Sequence, residues 1–173
     1  MTLEELFSDP SLKVKDRSAK LRGLLTTGEI KVPALIAFAE KAKGPVKATC
    51  IEGLEYVTKT RPEFLPGTAL GFCLRSLKDK EPRVKWEAAR TIANTIKLHP
   101  SRAEEAVSAL MPNTGYDGTV VRWSTAHALA SVIGMRTALN SKLIPKVQAI
   151  AAKEEENSIR RIYEAALKKA MKG

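Results

Sequence analysis

The 173-residue sequence predicts an all-α solenoid of stacked helix pairs, and three observations point there. The first is a recurring segment. Val46-Lys47-Ala48, Val84-Lys85-Trp86, Val121-Arg122-Trp123 and Ile159-Arg160-Arg161 each open a run of helix-forming residues. Their β-branched members are 84−46 = 38, 121−84 = 37 and 159−121 = 38 residues apart. A period of roughly 20–50 residues marks a stacked architecture, because one unit is too small to bury its apolar face alone. The second is composition: aromatics make up only 5% while alanine, leucine, isoleucine and lysine abound, which favours helix over sheet. The third is that no segment alternates apolar and polar residues between turn signals, as a half-buried strand does.

A short helix is expected over Leu3 to Ser8, then a longer one from about Leu12 to Leu25. Thr26-Thr27-Gly28 closes it, since glycine takes the left-handed cap without steric penalty. Ile30 to Ala42 and Val46 to Thr60 form the next pair, separated by Gly44-Pro45 and closed by Arg61-Pro62. Thr68 to Lys78 and Arg83 to Leu98 follow, closed by His99-Pro100. Arg102 to Met111 and Val120 to Ile133 are joined by a loop over residues 112–118, and Lys142 to Lys153 and Ser158 to Met171 complete the chain. The reading is one domain, 1–173, with capping helices over 2–27 and repeats over about 28–61, 66–99, 102–135 and 141–172. Within the second helices, Val84, Ala88, Ile92 and Ile96 share one face, as do Val121, Thr125, Leu129 and Val132. Alanines at 88, 89, 93, 126, 128 and 130 allow neighbouring helices to approach closely.

Asp79, Pro82, Val84, Lys85, Ala88, Ala89 and Ile92 resemble the second-helix pattern of HEAT repeats: an acid in the turn, then a valine, a basic residue and spaced alanines. Pro33 and Pro145 stand where that family often kinks its first helix. The resemblance covers about residues 28–171 and implies a right-handed superhelix whose second helices line a concave face. The sequence departs from the family in its shorter period, in Gly71 and Ser108 replacing the proline of the middle repeats, and in Lys43 standing near the turn acid of the first repeat. The turn acid shifts to Asp117 and Glu155 in the later repeats. The Trp, Leu-Gly and Tyr spacing of tetratricopeptide repeats is missing.

The resemblance also implies that the basic column Lys47, Lys85, Arg122 and Arg160 ties to turn acids of its own or the adjacent unit. Lys85 with Asp79 and Arg122 with Asp117 are the expected pairs. One residue further on lies Ala48, Trp86, Trp123 and Arg161; one helical turn beyond that come Glu52, Arg90, His127 and Ala165. This face turns away from the apolar stripe. Trp86, Arg90, Trp123, His127 and Arg161 are therefore the candidate binding residues, two tryptophans beside cationic or titratable groups in adjacent units. The competing reading has both rings filling gaps between helices.

The chain carries 29 Lys and Arg against 19 Asp and Glu, a formal charge of +10 spread along its length. That surplus suits an acidic protein surface or nucleic acid. Glu154 to Glu156 and Lys168, Lys169 and Lys172 flank the last helix with the signs its dipole favours, and they need no further role. Cys50 and Cys73 lack metal or redox spacing and read as small core residues in a reducing compartment. The start, Met1 to Leu6, has no secretory character, and no run approaches the ~18 apolar residues of a membrane span, so a cytoplasmic location is expected. Phosphate-loop, zinc-protease and nucleophile-elbow motifs are all missing, and no carboxylate is placed to orient His127 for acid–base work. No catalytic residue, metal or cofactor is assigned.

The functional expectation is a scaffold or adaptor that binds a macromolecule, most naturally a protein, on its concave helix face. The alternative is nucleic-acid binding, in the manner of the HEAT-like DNA-alkylation repair glycosylases, although no Asp falls among the tryptophans here. A cofactor-attachment protein of the phycobilin-lyase type ranks third.

Overall fold

The structure is a computed structural model that describes residues 1–172. Ten α-helices and no strand occur among them: α1 (Leu3–Ser8), α2 (Val14–Thr27), α3 (Val32–Lys41), α4 (Gly44–Thr60), α5 (Gly67–Ser76), α6 (Pro82–Thr95), α7 (Ala103–Leu110), α8 (Thr119–Gly134), α9 (Asn140–Lys153) and α10 (Asn157–Met171). Local chemistry sets their ends. Thr2 and Glu5 form a reciprocal capping box at α1, and α2 stops at Gly28 with φ 77°. α2 starts two residues later than the sequence predicts, because Asp9 folds the chain back on itself and accepts the Ser11 N–H at 2.9 Å.

Pro33, Pro45 and Pro82 each sit in the first turn of a helix, where a missing N–H is harmless. Pro33 thus starts α3 and kinks nothing, whereas Pro145 lies inside α9. The expected loop 112–118 begins as a 3-10 turn, Met111–Gly115, and the expected long helix to Leu98 tightens into a 3-10 turn over Ile96–Leu98.

α2, α4, α6, α8 and α10 lie side by side in one layer, each packed on the next. α3, α5 and α7 form a second layer and touch one another more sparingly. The first, more extensively packed layer is called inner and the second outer. Between the layers a single apolar core runs from Leu3 to Leu167. Ala88, Ala89, Ala126 and Ala128 are fully buried in it, and Gly53 lets α2 come so near that an added Cβ would meet Leu25 Cδ1 at 3.0 Å. Cys50 and Cys73 are free and buried, and burial pushes both thiols up to about 12.

The basic column fastens each unit to the next. Lys47 pairs with Asp79 at 2.9 Å, Lys85 donates to Asn113 Oδ1 at 3.2 Å, and Arg122 pairs with Glu154 at 3.1 Å. The expected partners are therefore corrected. Asp79 is held by the lysine of the preceding unit, and Lys85 caps the Leu77 carbonyl at 2.9 Å. Arg122 takes the backbone oxygen of Asp117 at 3.0 Å and not its carboxylate. Each basic side chain starts a second helix, from which it reaches one helix spacing sideways more easily than back to its own turn acid. Arg160, in the last unit, holds its own turn through Glu154 O at 3.0 Å and pairs with Glu164 of the same helix at 3.8 Å.

Candidate functional site

The surface of the inner layer changes character along the stack. At its N-terminal half the charges cancel. Arg22 of α2 and Arg83 of α6 both bind the Glu52 carboxylate of α4, and Arg90 binds Glu55 at 3.0 Å. Asn94 Nδ2 donates to the Glu55 carbonyl and to Thr58 Oγ1, each at 3.2 Å. Glu87 is 4% exposed; its Oε1 accepts the Trp86 Nε1–H at 3.0 Å, while its Oε2 is buried without a hydrogen-bond partner. Burial raises the Glu87 carboxyl above its ordinary value, against the Trp86 hydrogen bond and nearby Arg90.

The candidate residues fall on this surface, though not as equals. Trp86 is half-buried and tied to Glu87. Trp123 is 37% exposed, and its ring meets His127 edge-on with centroids 4.2 Å apart. Neither ring belongs to the buried core, so the gap-filling alternative does not describe Trp123. Burial, then the charge of Arg90, keeps His127 below its ordinary value. Arg90 itself is compensated by Glu55 and Glu87, which the sequence left unpaired. Arg161 is exposed and makes no ion pair among the described residues. The first member of the tryptophan column, Ala48, is fully buried, so the column emerges onto the surface only from α6 onwards.

Past His127 the compensation ends. Between α8 and α10 runs a groove of about 620 Å³ bordered by Lys97, His127, Arg136, Arg161 and Lys169, with no carboxylate among its lining residues. Sequence reading missed Lys97, Arg136 and Lys169, because they share no period along the chain. It also missed Glu55 and Glu87, although Glu52 standing at the position equivalent to Arg90 was a visible cue to charge pairing across helices. Among the described residues no three His, Cys, Asp or Glu gather in a way that could hold a metal ion, and no helix is long and apolar enough to cross a membrane.

This arrangement, a row of parallel inner helices with a polar and aromatic surface, has known counterparts. The fold is that of armadillo-type repeat solenoids. A designed armadillo repeat protein superposes with a TM-score of 0.72 at 16% identity, over 95% of this chain and 79% of that one. A designed armadillo repeat protein in complex with the peptide (KR)4 gives 0.73 at 15%, over 95% and 78%. An engineered protein gives 0.62 at 16%, over 98% and 97%. No family model and no curated protein matches the sequence. At such identities the likeness carries the architecture alone. It establishes the repeat solenoid without singling out the HEAT type.

Proposed function

We propose that this chain is a non-catalytic adaptor that holds a segment of a partner protein across its inner helices. The observation that carries this reading is Trp123. It is a large aromatic left 37% exposed on the inner face, braced by His127, with Trp86 at the equivalent position of the adjacent unit. An exposed, rigidly mounted ring offers contact area with little ordering on binding. Support also comes from the designed armadillo repeat protein that is in complex with a peptide. The test is affinity capture with Trp86→Ala plus Trp123→Ala. Loss of captured protein with helicity unchanged by circular dichroism is expected. A variant that captures as well as the parent, or that unfolds, would remove the basis for the proposal.

The formal charge of +10 supports a second reading, nucleic-acid binding on the same face. Titration of labelled duplex and single-stranded DNA at two ionic strengths separates the two. A steep salt dependence favours this second reading, and no binding at low salt discards it.

A further inference from the structure

The inner face divides into a half where charges cancel and a half where they do not, and the division has a direction. Three arginines of the first half meet carboxylates of the neighbouring helix: Arg22 and Arg83 meet Glu52, and Arg90 meets Glu55. In the groove between α8 and α10, Lys97, Arg136, Arg161 and Lys169 form no ion pair among the described residues. Three helix C-termini converge here, those of α6, α8 and α10, and each attracts cations. Their pull is roughly half a unit of negative charge each, against one full positive charge per side chain, so the groove stays net positive. The floor is apolar and shallow, made by Ala130, Ala165 and Ala166 with Ile162 beside them.

Arg136 adds an independent observation. It is the one non-glycine residue with positive φ among the described residues, at 55°, just past the end of α8, a position glycine fills without strain. Its Nη2 donates to the Lys169 carbonyl at 3.1 Å, which sets the guanidinium across the groove's end. A cation stands where local backbone chemistry favours glycine.

We infer that the groove between α8 and α10 receives an acidic segment of a partner protein, its carboxylates on Lys97, Arg136, Arg161 and Lys169 and one aliphatic side chain on the alanine floor. Charge complementarity selects the acid, and the apolar floor selects a peptide over a sugar-phosphate backbone, which has no hydrocarbon side chain to seat there. This deepens the adaptor reading and rests on it. The (KR)4 peptide of the designed neighbour would meet like charge in this groove.

The experiment is fluorescence anisotropy with three labelled probes of equal length: a peptide of aspartates and glutamates around a central leucine, its lysine counterpart, and an oligothymidylate. The acidic peptide is expected to bind at low ionic strength and the lysine peptide not to. Arg161→Ala plus Lys169→Ala weakens the acidic peptide about tenfold, the size expected when two exposed charge contacts go together. Lys142→Ala plus Lys146→Ala removes the same charge from α9, outside the groove, and leaves affinity unchanged. Arg136→Gly discriminates most sharply: melting temperature holds or rises because strain is relieved, while affinity falls about threefold, as for the loss of one exposed charge contact. Equal loss in the α9 variant, binding of the lysine peptide, or oligothymidylate binding tighter than the acidic peptide would each overturn the inference. Capture that depends on Trp86 and Trp123 while no acidic peptide binds sinks the groove assignment and leaves the adaptor reading standing. Acidic-peptide binding that depends on the groove in a chain whose capture ignores the tryptophans does the reverse.

Discussion

Arg122 reaches from the first turn of α8 to Glu154 in the turn before α10, with Nε–Oε2 at 3.1 Å and Nη2–Oε1 at 3.2 Å. The two side chains are 18% and 5% exposed, so this is a bidentate pair screened from solvent at the junction of consecutive units. It differs from the surface pair Arg61–Glu63, whose members are more than half exposed and contribute little.

Breaking that junction is expected to be expensive. Arg122→Ala leaves the buried Glu154 carboxylate without its ion-pair partner, held only by the Glu156 N–H and the nearby charge of Arg160, a loss of about 3 kcal/mol in urea unfolding at pH 7. Burial opposes ionisation of Glu154, but hydrogen bonds from Arg122 and the Glu156 N–H, with Arg122 and Arg160 nearby, hold it below its ordinary value. A lowered folded value contributes stability that is present above the unfolded value of 4.5 and is lost as pH falls through the folded one. Stability of the parent should therefore decline on acidification below that point. A decline of the same steepness in Arg122→Ala would show that the pair is not responsible.

Glu87 behaves in the opposite sense. Its folded value is raised, so the favourable contribution of its protonated form is full below 4.5 and lost as pH rises through the folded value. At neutral pH the chain carries a buried carboxylate whose Oε2 accepts no hydrogen bond and meets Arg90 Nη1 only at 3.8 Å. Glu87→Gln should stabilise by about 1 kcal/mol at pH 7, on the scale of an unmet buried hydrogen bond, with the gain vanishing near pH 4. Thermal melts at the two pH values check it; a variant less stable than the parent at pH 7 contradicts it.

His127 titrates below 6.5, held there by burial first and by the charge of Arg90 second. A depressed value contributes stability above 6.5 that is lost as pH falls through the folded midpoint. Proton NMR of the imidazole should give a midpoint below 6.5, and Arg90→Ala should move it upward. A downward move would exclude repulsion by Arg90 as a contributor.

Gly53 of α4 packs directly against Leu21 and Leu25 of α2. Alanine would improve helix propensity by about 1 kcal/mol, yet its Cβ would press on Leu25 and Leu21, both fully buried, at 3.0 and 3.1 Å. Overpacking of this kind costs about 1–3 kcal/mol. Gly53→Ala should therefore lose about 1 kcal/mol net in chemical denaturation. A stabilised variant would mean that the leucines yield freely.

How far the candidate site was legible is clearest at Arg90. Its spacing from Trp86 put it on the inner face, and there it is. That its charge is spent on Glu55 could not be read from one helix, because Glu55 lies 90−55 = 35 residues earlier on α4. The same applies to the basic column. The resemblance to HEAT repeats implied a structural role for Lys85 and Arg122, but their side-chain partners lie in the next unit, Asn113 and Glu154. Trp123 and Arg161 stand exposed on the layer of second helices that their spacing predicts, while Lys97, Arg136 and Lys169, which share no period, come together only where the stack gathers three helix ends at one groove.

The sequence by itself determined the helices, their pairing and their stacking, because apolar spacing and the Val-Lys/Arg repeat are local patterns that any one segment carries. The tertiary structure alone decided which charges are neutralised and which remain free, since an ion pair depends on which neighbour lies one helix spacing away. Coulomb partners are set by distance in space, and in a solenoid the nearest opposite charge lies in another unit of the chain.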